Sequence, residues 1–293
     1  MKILLTGTSG FLASRVRDYL KEDAEIEVLA PSHAELDVTS LDSCKAYFSL
    51  CQPDAVIHLA AISDIGECER NEALSRDVNT EGPVRLAICA KESGIPGRFL
   101  FASSDQVYSG TREADRLNRE TDLLTPENLY AREKLEAEEI VGAILPSACA
   151  LRLDWMFDLK PGKANYLKNM IRSIREQRPV RYAVNELRAE TYAWEVAVNM
   201  KTLLFSDAPG GAYNFGGPAF GNSYETAVRT YDLLGSALGL PVRGLAVRGE
   251  LAVPRSLAMD QEKIRSVGIR FRDTVESAAL CLERESAFLS GIR

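Results

Sequence analysis

The sequence predicts an α/β protein with a doubly wound parallel sheet and a smaller, mixed C-terminal region. First, short apolar runs alternate with amphipathic helical patterns through the first half of the chain, which is typical of βαβ units. Second, the 293 residues, 46% of them hydrophobic, are enough for a sizeable core without disulfides or a structural metal. Third, after about Trp155 the alternation stops and Pro and Gly return. We expect that second region to cap the carboxyl edge of the sheet.

Each predicted strand is short and apolar, and a helical pattern follows it. The first strand, MKILLTG, leads into the helix FLASRVRDYL. The apolar face of this helix consists of Phe11, Leu12, Val16, Tyr19 and Leu20. The later strands are EIEVLA, DAVIHLAA, RFLFASS and ACALRLDW. The later helices are SLDSCKAYFSL, SRDVNTEGPVRLAICAKES and LYAREKLEAEEIVGAI.

Right-handed crossovers join parallel strands, so these elements predict one continuous sheet. We assign residues 1–157 to the sheet-forming unit, with a later return of the chain at about 188–206. Residues 158–293 are assigned mainly to a substrate-binding region.

The charge balance bears on the partners of the protein. Lys and Arg number 35 and Asp and Glu number 42, so the formal net charge is −7. This argues against a general nucleic-acid binder, which needs excess basic charge. The start, MKILLTGTSG, has a four-residue apolar run, far short of a signal peptide or of the ~20 residues of a membrane span. We therefore expect a cytoplasmic protein with no nucleic-acid or membrane partner.

Cysteine and histidine usage argues against disulfide, zinc and triad chemistry. The six cysteines are scattered without a CxxC pair, so we expect reduced thiols. Only His33 and His58 are present, and neither has neighbours that suit a zinc site or a Ser-His-Asp triad. We expect no metal site. His58, in the apolar run AVIHLAA, is interpreted as a packing residue at a strand end.

A glycine-rich turn follows the first strand, in the pattern G-x-x-G-x-x-A. Gly7 and Gly10 let the backbone approach a pyrophosphate, and the following helix offers free N–H groups and its positive dipole end. Ala13 permits close packing of helix on strand. The pattern indicates a Rossmann-type dinucleotide site, with a plain tight βα turn as the alternative.

A second motif carries the catalytic hypothesis. Ser104 follows the strand RFLFASS, and Tyr130 and Lys134 form Y-x-x-x-K on a helix, where residues four apart share a side. An ammonium beside a phenol lowers the phenol's pKa, so that the Tyr exchanges a proton near neutral pH. Ser104 would hold the same substrate oxygen. The set suits hydride transfer at a carbonyl carbon.

Residues 160–181 are strongly basic, with seven cations and one acid, Glu176. Lys168, Arg172 and Arg175 are spaced by four and three and share one helical face. We expect this face to hold the diphosphate of a ligand. A merely solvated face is the alternative.

Together these motifs resemble the extended short-chain dehydrogenase/reductases. The blocks that carry the resemblance are TGTSGFLA, HLAA at 58–61, DVN at 77–79, SSDQVY at 103–108 and YAREK at 130–134. Within that superfamily the chain is most similar to the dTDP-4-dehydrorhamnose reductase group. The blocks shared with this group are ELDV at 35–38, SSDQVYSG, ENLYAREKLEAEE, LRLDWMF at 151–157 and YNFGGP at 213–218.

The resemblance implies a role for each matching position. The catalytic set would be Ser104, Tyr130 and Lys134. The pyrophosphate would lie along Gly7, Ser9, Gly10, Phe11 and Leu12. Asp37 and Val38 would flank the adenine, and the ribose side would be lined by Leu59, Ala60 and Ala61. Lys134 would also hold the nicotinamide ribose, and Asp105 and Trp155 would face the sugar. The substrate-facing blocks differ most from the family, as at Leu153-Asp154 and at Glu186–Thr191, which lacks the family's Gly and Pro.

The resemblance implies an NAD(P)H-dependent reductase of a 4-keto nucleotide sugar. The second strand ends in Ala30-Pro31-Ser32-His33 without an acid, so Ser32 and His33 favour NADP(H) slightly over NAD(H). The alternatives are a sugar-nucleotide epimerase or dehydratase on the same scaffold, or a non-catalytic NAD(P)-binding regulatory subunit. A dehydratase usually has Glu where Gln106 stands. A homodimer is compatible with all of them.

Overall fold

The computed structural model describes residues 1–162 and 164–292. Its first six strands are β1 (Lys2–Thr6), β2 (Glu27–Leu29), β3 (Ala55–His58), β4 (Phe99–Ser104), β5 (Cys149–Leu153) and β6 (Trp155–Phe157). The later strands are β7 (Val180–Ala183), β8 (Glu186–Leu187), β9 (Glu190–Tyr192), β10 (Gly211–Phe215), β11 (Ala246–Gly249) and β12 (Arg255–Ser256).

Helices alternate with the strands through the first half of the chain. The first six are α1 (Phe11–Leu20), α2 (Leu41–Cys51), α3 (Ile65–Arg70), α4 (Glu72–Arg76), α5 (Gly82–Ser93) and α6 (Leu129–Ile144). The remaining α-helices are α7 (Tyr166–Glu176), α8 (Ala193–Leu204), α9 (Ser223–Leu238), α10 (Glu262–Ser266) and α11 (Thr274–Glu285).

The central sheet has six parallel strands in the order β10-β5-β4-β3-β1-β2. The predicted doubly wound α/β class is confirmed. β2 pairs with one side of β1, and the chain then crosses to the other side of β1, where β3 pairs with it. The strand order therefore reverses at β1. Ligands of doubly wound sheets bind beyond the carboxyl ends of the strands at such a switch point. The glycine-rich turn, which follows β1, lies there.

Apolar side chains form one layer on each face of this sheet. α1 and α8 cover one face, and α2, α5 and α6 cover the other. A third core belongs to the C-terminal region, where α7, α9 and α11 pack together around Phe157 and Tyr192. The expected return of the chain to the sheet includes α8 and extends to β10, which forms the sheet edge.

Two predicted elements are interrupted in the structure. The helix expected over residues 75–93 consists of α4, a π-helical segment (Asp77–Glu81) and α5. Pro83 lies in the first turn of α5, where its missing N–H removes no helical hydrogen bond. The predicted strand ACALRLDW is divided at Asp154. β5 stays in the large sheet and β6 pairs with β9 in a separate two-stranded sheet.

Arg15 forms buried ion pairs that link α1, on the central sheet, to the C-terminal region. It is buried in α1, and its guanidinium donates to the carboxylates of Asp158 and Glu285, the latter at the end of α11. Tyr192 also donates to Glu285, at 2.9 Å. Buried charges are stable only when they are paired, so this network couples α1 to the C-terminal region.

The thiols and the helices agree with the composition. All six cysteines are free, and five of them are buried. In the part of the chain that the structure describes, no helix has the length and apolar character needed to cross a membrane.

Candidate functional site

The turn after β1 has the backbone shape that a dinucleotide site needs. Gly7 has φ +72°, and a Cβ there would lie 2.6 Å from the backbone nitrogen of Ala60. Gly10 precedes α1, and no side chain caps the first N–H groups of that helix. The Gly10 N–H donates to the Gly7 carbonyl at 2.8 Å. The residues present therefore fit a pyrophosphate, which binds at uncapped helix N-termini.

The loop after β3 is held to this turn by Thr6. The Thr6 hydroxyl accepts from the amides of Leu59 and Ala60, at 3.2 and 3.3 Å. Its own proton is therefore directed at His58 Nδ1, 2.7 Å away. Burial, with a smaller effect of the nearby Lys134, lowers the pKa of His58 to about 3. His58 is thus a neutral packing residue at a strand end, as its apolar context predicts.

An acidic side chain lies beside the residues that follow β2, although the stretch Ala30-Pro31-Ser32-His33 contains no acid. Glu35 accepts from both the backbone N–H and the hydroxyl of Ser32, each at 2.8 Å. These bonds lower the pKa of Glu35. His33 is exposed, with Nδ1 3.9 Å from Asp37. The expectation that no acid lies here holds for residues 30–33 only, because the turn brings Glu35 back to Ser32.

Asp37 and Val38 follow this turn. The Asp37 carboxylate accepts from the backbone and the hydroxyl of Thr39, at 2.9 and 2.7 Å, which lowers its pKa. Val38 is buried against α5, and its γ-methyl lies 3.4 Å from a Cβ built on Gly82. Both positions have the fixed backbone that a binding slot requires. Their contact with adenine stays a prediction.

Ser104 ends β4 and begins a short 3₁₀ turn (Asp105–Tyr108). Its hydroxyl accepts from the Gln106 N–H and donates to Asp105 Oδ1, both at 3.2 Å. Asp105 is buried, and its Oδ2 has no hydrogen-bond partner in the described chain. Burial raises the pKa of Asp105, and the charges of Arg188 and Arg255 oppose this. Ser104 is therefore held with its hydroxyl at the carboxyl end of the sheet.

The start of α6 places the other two members of the predicted catalytic set. Asn128 caps this helix by accepting from the Ala131 N–H at 2.8 Å, so that Tyr130 lies in the first turn. The Lys134 ammonium nitrogen lies 5.8 Å from the centroid of the Tyr130 ring. Ser104 lies near enough to Tyr130 to lower the pKa of its phenol. The structure thus brings Ser104, Tyr130 and Lys134 together.

The pKa of Tyr130 is raised, whereas the sequence predicted that the neighbouring ammonium group would lower it. Burial raises it and the Asp105 carboxylate raises it further, while the neighbouring Ser104 side chain only partly offsets them. Lys134 is itself buried, which lowers its pKa to about 8. Desolvation disfavours both charged forms, and this outweighs the expected effect of the ammonium on the phenol. The phenol is therefore protonated at neutral pH.

A buried carboxylate next to Lys134 was not among the predicted site residues. Glu133 accepts from Ser75 at 2.6 Å and from Asn79 at 2.9 Å. Asn79 also exchanges two hydrogen bonds with the backbone of Ile62, each at 3.0 Å. Sequence spacing holds a signal for this residue, because Glu133 is three residues after Tyr130 and so shares its side of the helix.

Several buried ionisable side chains surround Trp155, which was predicted to face the sugar. Trp155 is 60% exposed, and the guanidinium carbon of the buried Arg188 lies 4.1 Å from its ring centroid. Arg188 Nε is 3.5 Å from Glu190, whose pKa burial raises to about 7. Asp154 is buried too, and burial raises its pKa well above the usual value. Arg188, Asp154 and Glu190 were not predicted as site residues, although they lie in the blocks that differ from the family.

The basic face of α7 lies against the C-terminal segment of the chain. Lys168 donates to the Lys160 carbonyl, and Arg175 donates to the Leu289 carbonyl at 2.7 Å. Lys168 and Arg172 line a cavity of about 430 Å³ together with residues 287–292. None of the predicted catalytic residues lines it. These contacts direct the helix face toward the C-terminal segment. That the face holds a diphosphate stays a prediction. Lys163, another cation of this stretch, lies outside the described residues.

The structure also bears on metal chemistry. Within residues 1–162 and 164–292, no group of three or more His, Cys, Asp or Glu side chains is arranged to hold a metal ion.

The chain matches known proteins over nearly all of its length. Residues 1–286 match the model of a family described as the RmlD substrate binding domain. A dTDP-4-dehydrorhamnose reductase of Aggregatibacter actinomycetemcomitans is 25% identical over 236 residues, which cover 79% of this chain and 78% of the relative. The spore coat polysaccharide biosynthesis protein SpsK of Bacillus subtilis is 25% identical over 288 residues, 98% of each chain.

Solved structures agree in fold. A dTDP-4-dehydrorhamnose reductase of Bacillus anthracis, solved in complex with NADP, superimposes with a TM-score of 0.83 at 19% identity and covers 97% of this chain and 99% of that one. The reductase of Clostridium acetobutylicum gives 0.83 at 23% identity, covering 98% of this chain and all of that one. The predicted resemblance is confirmed: this chain belongs to the RmlD substrate-binding-domain family of the extended short-chain dehydrogenase/reductases.

Proposed function

We propose that the protein is an NAD(P)H-dependent reductase of a 4-keto nucleotide sugar, with Tyr130 as the proton donor. The observation that carries the proposal is the convergence of Ser104, Tyr130 and Lys134 at the carboxyl edge of the sheet. Relatives named as dTDP-4-dehydrorhamnose reductases support the substrate class.

The nicotinamide cofactor supplies the hydride when it is bound. The turn from Gly7 to Leu12 would hold its pyrophosphate, and Ala60 and Ala61 would line its ribose. Lys134 would hold the nicotinamide ribose with its ammonium group. Among these residues, Ala60 is held to the turn by its N–H bond to the Thr6 hydroxyl.

The chain's own groups manage the proton. Ser104 orients the substrate carbonyl oxygen by donating its hydroxyl hydrogen. Tyr130 gives its phenolic proton to that oxygen as negative charge develops there. The phenol holds its proton at neutral pH, as a proton donor must before the reaction. The Lys134 ammonium nitrogen, 5.8 Å from the centroid of the Tyr130 ring, stabilises the phenolate that remains.

The sugar would lie against Trp155, whose exposed ring is backed by Arg188. Aromatic rings pack on the apolar faces of sugars, while buried Arg, Asp and Glu groups bond hydroxyls. Asp105 Oδ2 and Arg188 Nη2 are buried and have no hydrogen-bond partner in the described chain. They would become satisfied when a polar sugar is bound.

Cofactor preference depends on the end of β2. Ser32 and His33 favour the 2′-phosphate of NADP(H), whereas the Glu35 carboxylate at Ser32 opposes it. We propose a weak preference for NADP(H), with NAD(H) also accepted.

The test is a panel of 4-keto nucleotide sugars assayed for oxidation of NADPH and NADH. We expect turnover with at least one 4-keto sugar and conversion of its keto group to a hydroxyl. Epimerised or dehydrated product without net cofactor oxidation would overturn the proposal. Tight cofactor binding without turnover of any sugar would favour a regulatory subunit.

A further inference from the structure

We propose that Arg188 determines which sugar the site accepts: the side-on edge of its guanidinium, formed by Nε and Nη2, binds two neighbouring hydroxyl groups of the substrate. The inference deepens the proposed function and rests on it for the identity of these hydroxyls. A 4-keto hexose that is linked through C1 carries its adjacent hydroxyl groups at C2 and C3. The substrate class is therefore a 4-keto nucleotide sugar with a free 2,3-diol.

Arg188 lies beside the end of the sheet that carries the proposed catalytic set. β4 and β5 pair in parallel with Ser104 opposite Leu153. Trp155 comes two residues after Leu153 and pairs with Glu190 where β6 meets β9. The guanidinium carbon of Arg188 lies 4.1 Å from the centroid of the Trp155 ring. These contacts put Arg188 next to the proposed position of the sugar.

The side-on edge of Arg188 is buried without partners. The residue is 6% exposed, and neither Nε nor Nη2 has a hydrogen-bond partner in the described chain. Buried donors are nearly always satisfied, so two open donors on one side chain indicate a ligand. Their N–H bonds project from one edge of a rigid plane, which matches two oxygen atoms of one molecule. Arg188 belongs to the block Glu186–Thr191, which lacks the family's Gly and Pro, so this edge is a feature of this chain.

The surrounding charges favour hydroxyl groups over an anion. Glu190 Oε1 lies 3.5 Å from Arg188 Nε, and Glu186 Oε1 lies 4.0 Å from Nη1. Glu186 also accepts from Arg255 Nε at 2.7 Å. Two acidic groups thus face the two guanidiniums, and a phosphate or carboxylate at the edge would meet Glu190. A hydroxyl accepts from the edge and can also donate its own proton to Glu190, which an anion cannot do.

The ring of Trp155 controls access to this edge. It lies over the guanidinium and is 60% exposed. Exposed side chains change rotamer within picoseconds to nanoseconds, so the ring can turn away from Arg188 when a sugar enters. Binding of the diol should therefore change the environment of Trp155.

The experiment compares a dTDP-linked 4-keto-6-deoxyhexose with its 3-deoxy analogue in steady-state oxidation of NADPH. In the wild type we expect kcat/KM to be at least tenfold higher for the diol, because the analogue leaves a buried donor unpaired. Arg188→Met should lower kcat/KM by roughly 10–100-fold for the diol and by less than about threefold for the analogue. Arg188→Lys keeps the charge without the edge, and it should lose the discrimination as well.

Arg255→Met is the matched control. It removes the other guanidinium that pairs with Glu186 and should leave the ratio between the two sugars unchanged. Equal losses for both sugars in Arg188→Met, or a wild-type ratio in Arg188→Lys, would overturn the proposal. If Arg188→Met does not fold, Arg188→Lys and the wild-type comparison of the two sugars decide, and equal kcat/KM values in the wild type would overturn it.

Binding gives a readout that needs no turnover. The chain has two tryptophans, Trp155 and Trp194, so Trp194→Phe leaves Trp155 as the fluorescent reporter. We expect its emission to change on titration with the reduced, 4-hydroxy dTDP sugar, and the Kd to rise at least tenfold when Arg188→Met is added. A response to inorganic phosphate that Arg188→Met abolishes would show an anion site and overturn the proposal.

The two proposals fail in different ways. Binding of the diol through Arg188 in a protein that reduces no 4-keto sugar would contradict the proposed function and support the diol site. Reduction of 4-keto sugars without preference for the diol would support the proposed function and overturn the role of Arg188.

Discussion

The guanidinium of Arg15 donates to the carboxylate of Glu285 at 2.8 Å and joins α1, which packs on the central sheet, to α11 of the C-terminal region. Both side chains are buried, and Asp158 is the second acceptor of the same guanidinium. Because removing one partner leaves buried charges without compensation, such a network makes the two regions depend on each other for stability.

We expect Arg15→Ala to lower the free energy of unfolding by about 3–5 kcal/mol, since Asp158 and Glu285 would lose their shared cation. Urea denaturation measures the change. Arg17→Ala on the same helix is the control. Its ion pair with Asp18 is more than one-third exposed and should cost less than about 1 kcal/mol. Equal losses in both variants would show that the buried network is not what couples the regions.

Tyr130→Phe should lower kcat by roughly 10²–10⁴-fold, because the phenolic proton is lost while the ring remains. The Kd of NADPH, measured by fluorescence titration, should change less than about twofold, since the pyrophosphate turn supplies most of that binding. A variant that kept most of the wild-type kcat would remove Tyr130 from the mechanism.

The cofactor preference should respond to charge at the end of β2. Glu35→Gln removes the carboxylate at Ser32 and should raise the kcat/KM ratio of NADPH to NADH by roughly two- to fivefold. Ser32→Asp should change the ratio in the opposite direction through repulsion of the 2′-phosphate. Steady-state kinetics with both cofactors gives the ratio. If both variants affect the two cofactors equally, this turn does not contact the ribose.

Stability should fall in mild acid because of His58. Its pKa is about 3 in the folded protein and about 6.5 when unfolded, so the unfolded chain binds more protons between these values. Its contribution is therefore fully present above pH 6.5 and decreases as the pH falls, by about 2 kcal/mol at pH 5.

His58→Gln should flatten this part of the pH–stability profile, whatever its effect at pH 7.5. Denaturation midpoints at pH 7.5, 6.5 and 5 test this. An identical slope in wild type and variant would assign the acid sensitivity to other groups.

Local sequence was sufficient for much of the fold. The bounds of α1 and α6 agree with the predicted segments, because amphipathic periodicity and a capping residue such as Asn128 act within one helix. The glycine turn and the Y-x-x-x-K spacing are local too, so the motifs predicted both the close backbone approach at Gly7 and the grouping of Tyr130 with Lys134.

Tertiary structure decided the charges that meet from distant parts of the chain. Glu35 returns to Ser32 through a turn, the face of α7 meets the residues around Leu289, and Arg188 covers Trp155. The pKa of Tyr130 rises although Lys134 is near, because burial is a property of the packed molecule. Periodicity and spacing act over a few residues and are visible in sequence, whereas desolvation and long-range pairing exist only after the layers have assembled.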